Sequence, residues 1–339
     1  MKLIKTEDAV GQVLCHDLTR IVPGEFKGPQ FRKGHIVTPE DIPMLLSMGK
    51  DHLYVWELEE GMVHENDAAE RLCAICKNEC MTRGEVKEGK IELRADCDGL
   101  FRADLEKLYE INAIDEIMVA IRHSNTAVHA GDKLCGTRVI PLVIRDEKLA
   151  QAEKIAGGSP ILELLPYKLK RAGVVTTGNE VYYGRIEDSF TPILEKKLRA
   201  YGIGVTQHVT TDDALEHVTQ AIEDMRKKDI DLLLCTGGMS VDPDDNTPGA
   251  IKKSGARIVT YGAPVLPGAM LLVGYYDDGL PVLGLPGCVM YARATVFDLV
   301  LPRIAAGAEI TKKEIAAMGN GGLCLGCESC RYPVCPFGK

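Results

Sequence analysis

In the second half of the chain, continuous apolar runs alternate with segments whose apolar residues recur at helical spacing. This pattern predicts strands and helices in turn. Apolar runs over 172–177, 203–209 and 232–235 have the lengths of buried strands. Between these runs, apolar residues recur at helical spacing over 193–201 and 215–225. Strands that alternate with helices at such short spacing predict a three-layer α/β fold, in which a parallel sheet carries helices on both faces.

The strand predicted at 232–235 ends in a turn whose residues suit a bound anion. Thr236, Gly237 and Gly238 follow it directly, and two adjacent glycines let the backbone turn sharply and approach a ligand closely. Thr236 and Ser240 add hydroxyl groups, and the free backbone N–H groups can form an anion-binding concavity. Open α/β sheets bind ligands at the carboxyl ends of their strands, so this turn is a candidate binding site. The alternative is an ordinary strand–turn–helix junction.

Three carboxylates follow the glycine turn, at Asp242, Asp244 and Asp245. Carboxylate oxygens are ligands that Mg²⁺ prefers in proteins. Phosphate-binding donors beside metal-binding carboxylates would form one site for a phosphorylated ligand. The three aspartates are therefore the candidate catalytic residues, and the alternative is a loop of solvated side chains.

Several short motifs occur in an order that resembles the molybdopterin-binding domain of the molybdopterin adenylyltransferases and molybdopterin molybdotransferases. In chain order they are Thr177-Gly178-Asn179-Glu180, Gly184-x-Ile186-x-Asp188-Ser189, Asp212-Asp213, Thr236-Gly237-Gly238-x-Ser240-Val241, Leu266-Pro267-Gly268 and Leu285-Pro286-Gly287. They span residues 168–305, a little under half of the chain.

The resemblance implies a role for the residues of these motifs. The Gly237-Gly238 turn and the helix start at Asp188-Ser189 would hold the pterin and its phosphate. The aspartates near 212–213 and 242–245 would bind Mg²⁺ or line the metal-transfer site. The full set of implied cofactor-binding residues is Thr177, Gly178, Glu180, Asp188, Ser189, Asp212, Asp213, Thr236, Gly237, Gly238, Ser240, Pro267, Gly268, Pro286 and Gly287.

Within this family, the flanking sequence is similar to that of the molybdotransferases. The chain has a long N-terminal region, which the single-domain adenylyltransferases lack. Residues 263–285 read as a Pro-Gly turn, a strand, a turn and a strand that ends in Leu-Pro-Gly, and a helix is predicted over 288–301. The resemblance implies biosynthesis of the molybdenum cofactor, with insertion of molybdate or tungstate into molybdopterin.

A second function stays open because two positions depart from the molybdotransferase pattern. Ala269 stands where most of these enzymes have a lysine suited to molybdate, and Cys288 stands where they have Asn. Arg293, Lys252 and Lys253 are candidates to supply the missing charge. The alternative function is a protein that binds, carries or senses molybdopterin or the finished cofactor without catalysis.

The rest of the chain predicts three further regions around the domain at 168–310. Residues 1–60 form a mixed N-terminal region, 61–167 a middle α+β domain, and 311–339 a Cys-rich tail. In the middle region we expect helices over 65–81, 105–112 and 148–156, a strand pair over 84–93, and strands over 114–121 and 137–144.

The tail contains the strongest cysteine motif. Cys324, Cys327, Cys330 and Cys335 follow the pattern C-x2-C-x2-C-x4-C-P, one residue longer in its last spacing than a bacterial ferredoxin run. In a cytosolic protein such a run favours metal over disulfides. An iron–sulfur cluster or Zn²⁺ is predicted there, and the alternative is a disordered tail with reactive thiols.

A second group of cysteines lies in the middle region. Cys73, Cys76 and Cys80 would share one face of the helix predicted over 65–81, with Cys97 further along the chain. Such a face is either packed in the core or forms a metal or redox site with the fourth thiol.

Net charge and the lengths of the apolar runs exclude several classes of protein. The formal charge of −9 argues against nonspecific nucleic-acid binding. No apolar run approaches the ~18 residues of a membrane span, and the N-terminus has no apolar signal-peptide region. We therefore expect a cytoplasmic protein. Its expected partners are molybdopterin, molybdenum or tungsten enzymes, other cofactor-biosynthesis proteins and a second copy of itself.

Overall fold

A computed structural model of the chain describes residues 2–22, 25–55, 60–243 and 245–339. Asp244, one of the three candidate catalytic aspartates, lies outside the described residues. The chain divides into two compact units. The N-terminal unit comprises the described residues up to Cys97 together with 102–124 and 130–164, and the C-terminal unit comprises 98–101, 125–129 and 165–339.

The strands are β1 Lys2–Lys5, β2 Leu18–Val22, β3 Phe26–Phe31, β4 His52–Val55, β5 Met62–His64, β6 Met81–Arg83, β7 Lys90–Ala95, β8 Gly99–Ala103, β9 Ile117–Ile121, β10 Thr126–Val128, β11 Lys133–Val139, β12 Val143–Arg145, β13 Leu162–Pro166, β14 Arg171–Thr177, β15 Gly204–Thr211, β16 Leu232–Thr236, β17 Arg257–Tyr261, β18 Leu272–Tyr275 and β19 Pro281–Leu285. The helices are α1 Ile42–Ser47, α2 Glu65–Cys76, α3 Leu105–Asn112, α4 Asp146–Ala156, α5 Asn179–Tyr182, α6 Phe190–Arg199, α7 Leu215–Arg226, α8 Thr247–Lys253, α9 Val296–Ala305 and α10 Lys312–Ala317. Short 3-10 helices cover Thr6–Asp8, Pro39–Asp41 and Gly287–Met290.

The C-terminal unit is built on a six-stranded sheet in the order β15-β14-β16-β19-β18-β17. The first four strands are parallel, and β18 and β17 join antiparallel. The prediction of a purely parallel sheet is therefore wrong, and the sheet is mixed. The reason is the short turn at 277–279, because a connection of that length can join β18 to β19 only as antiparallel neighbours.

Helices cover both faces of this sheet, as predicted. Along β16, Leu232 and Leu234 belong to one core cluster, whereas Leu233 and Cys235 belong to another. The first cluster contains residues of α6 and α9, and the second contains residues of α7 and α8. Successive strand residues point to opposite faces of a sheet, so an unbroken apolar run is what two covered faces require.

The helix predicted over 288–301 is interrupted. A 3-10 helix ends at Met290 and α9 begins at Val296, with Thr295 between them as an N-cap. The Thr295 hydroxyl accepts a hydrogen bond from Phe297 N at 3.2 Å, and Asp298 accepts one from Thr295 N at 2.8 Å. This capping box starts a new helix at Val296.

In the N-terminal unit, β6-β7-β11-β9 form an antiparallel sheet, and β1–β4, β2–β3 and β5–β12 form pairs. The helix predicted over 65–81 ends at Cys76 and a strand begins at Met81. Cys73 and Cys76 are buried on α2, but Cys80 lies beyond its end. The prediction of three thiols on one helix face is therefore wrong for Cys80.

The strand predicted over 137–144 is also divided, into β11 and β12. Helices α3 and α4 match their predicted spans closely. Among the described residues, none of the helices combines the length and apolar character needed to cross a membrane.

The tail packs onto the C-terminal unit. Leu323 forms a parallel bridge with Leu266, and Leu266 N donates to Gly322 O at 2.8 Å. Phe337 is 3% exposed and belongs to the core cluster that contains α6 and α9. The division of the chain into four regions stays a prediction.

Candidate functional site

Four chain segments next to strands β16, β18 and β19 line one cleft of the C-terminal unit. We call it the strand-end cleft, and its volume is about 490 Å³. It is lined by the glycine turn after β16, the acidic loop that follows, the turn before β18 and the turn after β19. The lining residues are Gly237, Gly238, Met239, Ser240, Asp242, Asp245, Gly268, Ala269, Met270, Leu285, Pro286, Gly287, Cys288, Met290 and Tyr291.

The glycine turn requires its glycines for a structural reason. Both residues have a left-handed backbone, with φ of 81° at Gly237 and 54° at Gly238. A Cβ at Gly237 would overlap the carbonyl oxygen of Thr177 and lie 2.8 Å from its Oγ1. A Cβ at Gly238 would lie 2.9 Å from Thr247 Oγ1. The glycines thus let the turn sit against neighbouring strand and helix ends.

Two buried hydroxyl groups hold the turn in place. Thr177 Oγ1 donates to Thr236 O at 3.2 Å and lies 3.2 Å from Thr247 Oγ1. Thr247 Oγ1 donates to Gly237 O at 2.8 Å. The turn is therefore tied to the end of β14 and the start of α8.

Hydrogen bonds within the acidic loop and from one tyrosine to the adjoining turn stabilise this segment. Asp242 N donates to Asp245 Oδ2 at 3.1 Å, and Asp245 N donates to Asp242 O at 2.9 Å. The Tyr261 hydroxyl donates to Met239 O at 2.9 Å. Burial and the charge of Asp245 raise the pKa of Tyr261. Two carboxylates are thereby held beside the glycine turn.

A second polar cluster lies at the adjacent ends of β14 and β15. Asp188 Oδ1 accepts hydrogen bonds from Phe190 N at 2.8 Å and Thr191 N at 3.2 Å, so it caps α6. Its other oxygen accepts the Thr191 hydroxyl at 2.5 Å and lies 3.3 Å from His208 Nε2. Thr176 Oγ1 is 3.0 Å from the same histidine nitrogen.

Hydrogen bonding lowers the pKa of Asp188. Burial raises it, but the hydrogen bonds from Thr191 and Phe190 and the charge of His208 outweigh that effect. A carboxyl group whose pKa falls on folding stabilises the fold above its unfolded pKa, near 3.9, and this stabilisation disappears as pH falls through the folded pKa.

We therefore expect Asp188→Asn to lower the free energy of unfolding by about 1 kcal/mol at pH 7. The difference from the parent protein should shrink as pH falls below about 4, because the parent then loses the same charge. Denaturant titrations at pH 7 and pH 3.5 measure it. A difference that stays constant between the two pH values would contradict the assigned role of the charge.

The aspartates at 212 and 213 support local turns. Asp213 accepts a hydrogen bond from Asn179 N at 2.9 Å, and its carbonyl accepts one from Asn246 Nδ2 at 2.9 Å. Asp212 accepts from Ala214 N at 3.1 Å and lies 2.9 Å from His217 Nδ1. Asp213 thus links the motif after β14 to the start of α8.

The structure brings together only some of the implied cofactor-binding residues. Those that line the strand-end cleft are Gly237, Gly238, Ser240, Gly268, Pro286 and Gly287, together with the candidate catalytic residues Asp242 and Asp245. Thr177, Gly178, Glu180, Asp188, Ser189, Asp212, Asp213, Thr236 and Pro267 lie outside that lining. Asp188 rather than Ser189 caps α6, because Ser189 Oγ donates to Glu187 O at 3.4 Å.

Three residues that contribute to the site were not identified from the sequence. Thr247 and Tyr261 hold the turn and the loop through contacts distant along the chain, and His208 joins the cluster around Asp188. The sequence did carry one signal for Thr247, because Thr-Pro at 247–248 is typical of a helix start.

The cleft contains the two positions that depart from the molybdotransferase pattern. Ala269 and Cys288 both line it, and none of the described lining residues is Lys or Arg. Lys253 instead pairs with Glu216 at 3.2 Å, and Arg293 lines a different cavity beside the tail. The prediction that Arg293 replaces the missing lysine receives no support from its position.

The metal predictions gain no direct support. In the part of the chain that the structure describes, no group of three or more His, Cys, Asp or Glu side chains is arranged to hold a metal ion. This applies to Asp242 and Asp245, the described carboxylates of the acidic loop, and to the tail cysteines at 324, 327, 330 and 335. Zinc or an iron–sulfur cluster in the tail and Mg²⁺ in the cleft therefore stay predictions.

The sequence profile of a family described as a probable molybdopterin binding domain matches residues 173–306. A family described as a domain of unknown function matches residues 3–57. The resemblance to the molybdopterin-binding domain seen in the sequence motifs is thus confirmed for residues 173–306.

Curated relatives match a short part of the chain. A CinA-like protein of Desulfosudis oleivorans is 34% identical over 86 residues, which are 25% of this chain and 21% of that protein. A CinA-like protein of Fusobacterium nucleatum is 31% identical over 83 residues, 24% of this chain and 20% of that protein. The chain therefore spans about a fifth of the length of the curated relatives it matches.

Solved structures of similar proteins include two named for cofactor biosynthesis. The molybdopterin biosynthesis enzyme MoaB of Thermus thermophilus is 22% identical, covers 40% of this chain and 91% of its own, and has a TM-score of 0.36. The tungsten cofactor synthesizing protein MoaB of Pyrococcus furiosus is 19% identical, covers 40% and 93%, and has a TM-score of 0.34.

Proposed function

We propose that the strand-end cleft binds molybdopterin and that the protein acts in molybdenum or tungsten cofactor biosynthesis by inserting molybdate or tungstate. One observation carries the proposal. The Gly237-Gly238 turn, the carboxylates of Asp242 and Asp245, and the turns at Gly268 and Gly287 line one cleft within a domain of the molybdopterin-binding family. Catalysis would consist chiefly of positioning and of electrostatic stabilisation of the transferring oxyanion.

The charge of the cleft makes binding of a phosphorylated ligand depend on a cation. Its lining includes two carboxylates and, among the described residues, neither Lys nor Arg. A phosphate brought there without a cation would be repelled. Mg²⁺ is commonly bound by one or two carboxylates together with the phosphates of the ligand, so two aspartates are a sufficient protein contribution. Asp242 and Asp245 would hold the ion, which would neutralise phosphate charge.

A binding, carrying or sensing function is the second candidate, and Ala269 favours it. An insertion enzyme must attract molybdate, and the lysine that most molybdotransferases use is replaced by a methyl group in the cleft. CinA-like names among the relatives leave the role of the matched domain open.

Incubating the full chain with molybdopterin, molybdate and Mg²⁺ under anaerobic conditions separates the two candidates. For the insertion enzyme, we expect metal-loaded cofactor to form faster than in protein-free solution, measured by activation of a cofactor-free molybdenum enzyme. Tight pterin binding with metal insertion at the protein-free rate would identify a carrier. Absence of pterin binding would overturn both candidates.

Adding the missing lysine gives a second test of the cleft. We expect Ala269→Lys to increase molybdate affinity of the molybdopterin-loaded protein about tenfold, because one charge-assisted hydrogen bond contributes about 1.5 kcal/mol. Equilibrium dialysis with molybdate measures the change. Ala308→Lys is the matched control, because Ala308 is half-buried in the same unit but lines another cavity. An equal gain in both variants would show a general charge effect and contradict the assigned position.

A further inference from the structure

The four tail cysteines surround one cavity. We call it the tail cavity, and its volume is about 300 Å³. Cys324, Cys327, Cys330 and Cys335 all contribute to its lining. Cys327 and Cys330 are exposed, and the other two are half-buried. Four cysteines spread over 12 positions of the chain thus line one cavity.

The backbone of the tail is fixed well enough to hold that arrangement. Cys324 N donates to Leu266 O at 2.8 Å, and the Tyr332 hydroxyl donates to Asp298 O at 3.0 Å. Phe337 is buried in the core just beyond the last cysteine. Both ends of the cysteine segment are therefore anchored to the domain.

Two kinds of thiolate-bound centre differ in how closely they gather their ligands. Tetrahedral Zn²⁺, with Zn–S bonds of about 2.3 Å, gathers its four sulfurs around one point. The four tail cysteines line a cavity of about 300 Å³. An iron–sulfur cluster is larger and takes its thiolates at its corners, around a space rather than a point.

The charge and sequence of the cavity agree with a cluster. Arg293, Arg331 and Glu328 line it with the cysteines, so the guanidinium groups outnumber the carboxylate. Four thiolates around an iron–sulfur core leave a net negative charge, which nearby guanidinium groups stabilise. The C-x2-C-x2-C spacing is also that of the bacterial ferredoxin run.

We propose that Cys324, Cys327, Cys330 and Cys335 bind one [4Fe–4S] cluster in the tail cavity. The four thiols bind as thiolates and release their protons to solvent. The cluster lies next to the strand-end cleft, because Pro267 lines the tail cavity while Gly268 lines the cleft. It also fixes the turn at 266–268, because Leu266 N donates to Gly322 O and Leu266 O accepts from Cys324 N.

The metal content of the full chain tests this site independently of molybdopterin. The protein is produced with an iron–sulfur assembly system and purified without oxygen. We expect about four iron and four acid-labile sulfide per chain, with a visible absorption band that dithionite bleaches. One zinc per chain without iron and sulfide, or neither metal, would overturn the proposal.

Single substitutions assign the ligands. Each of Cys324→Ser, Cys327→Ser, Cys330→Ser and Cys335→Ser should at least halve the iron content. Cys80→Ser is the matched control, because Cys80 is also partly exposed but lies in the N-terminal unit. Full iron content in all four tail variants, or an equal loss in the control, would overturn the assignment.

Hydrogen exchange tests the coupling to the cleft without any ligand. Loss of the cluster should increase amide exchange at Leu266 and Cys324, which hydrogen-bond to the tail and the turn respectively. The iron-loaded parent and Cys327→Ser are compared, because Cys327 is exposed and its substitution leaves the core intact. Identical exchange at 264–271 in iron-loaded and iron-free protein would refute the proposed effect on the turn.

Discussion

Gly237→Ala should unfold or strongly destabilise the C-terminal unit, by at least about 3 kcal/mol, and abolish molybdopterin binding. The new Cβ would overlap the carbonyl oxygen of Thr177, which belongs to a central strand and cannot move without breaking the sheet. The residue would also have to keep φ near 81°, which L-residues other than glycine rarely adopt. Steric overlap and backbone strain therefore add at this one position.

Gly279→Ala is the control that separates overlap from strain. Its φ of 85° is close to that of Gly237, but a Cβ there would have no atom within 4 Å. We expect it to cost only about 1 kcal/mol, the strain alone. Thermal denaturation followed by far-UV circular dichroism measures both variants. Equal losses of stability would show that the packing of the glycine turn against β14 is unimportant.

The central part of the C-terminal unit could be predicted from sequence because its signals are local. Strand β14 and helix α7 lie within one or two residues of their predicted spans. Continuous apolar runs fix the buried strands, and helical spacing fixes the covering helices. The mixed sheet could have been found as well, since the short turn at 277–279 is visible in the sequence and allows only antiparallel neighbours.

The errors occur where distant contacts decide the local structure. Helix α2 ends at Cys76, and beyond it Asn78 Nδ2 donates to Leu164 O at 3.0 Å while its Oδ1 accepts from Leu164 N at 3.3 Å. This pairing of an asparagine with a strand 86 residues away draws the chain out of the helix, and with it Cys80. Local periodicity contains no information about such a partner.

In the candidate site, too, local features could be predicted from the sequence and contacts between distant residues could not. The Gly237-Gly238 turn and its carboxylates were visible as a motif, because the chain itself places them next to one another. The hydroxyls of Thr247 and Tyr261, which hold the turn and loop, come from separate elements. The sequence also could not show that Asp188 is occupied in capping α6, since its partners are defined only once the helix exists.

Substitutions in the acidic loop should have the second large effect, which is a change in the magnesium dependence of molybdopterin binding. We expect Asp245→Asn and Asp242→Asn each to raise the Mg²⁺ concentration needed for half-maximal molybdopterin binding at least tenfold, or about 1.4 kcal/mol. Each substitution removes one negative charge facing the ion. The loop itself should persist in Asp245→Asn, because an asparagine oxygen can still accept the hydrogen bond from Asp242 N.

Asp278→Asn is the matched control for this experiment. Asp278 also accepts a backbone hydrogen bond in a tight turn of the same unit, from Leu280 N at 3.0 Å, but it does not line the cleft. The Mg²⁺ concentration that Asp278→Asn needs for half-maximal molybdopterin binding should stay within about twofold of the parent value. Isothermal titration of the full chain with molybdopterin at several Mg²⁺ concentrations measures it. An unchanged requirement in both loop variants would exclude these carboxylates as magnesium ligands. Equal shifts in all three variants would mean that net charge, rather than the loop, controls the effect.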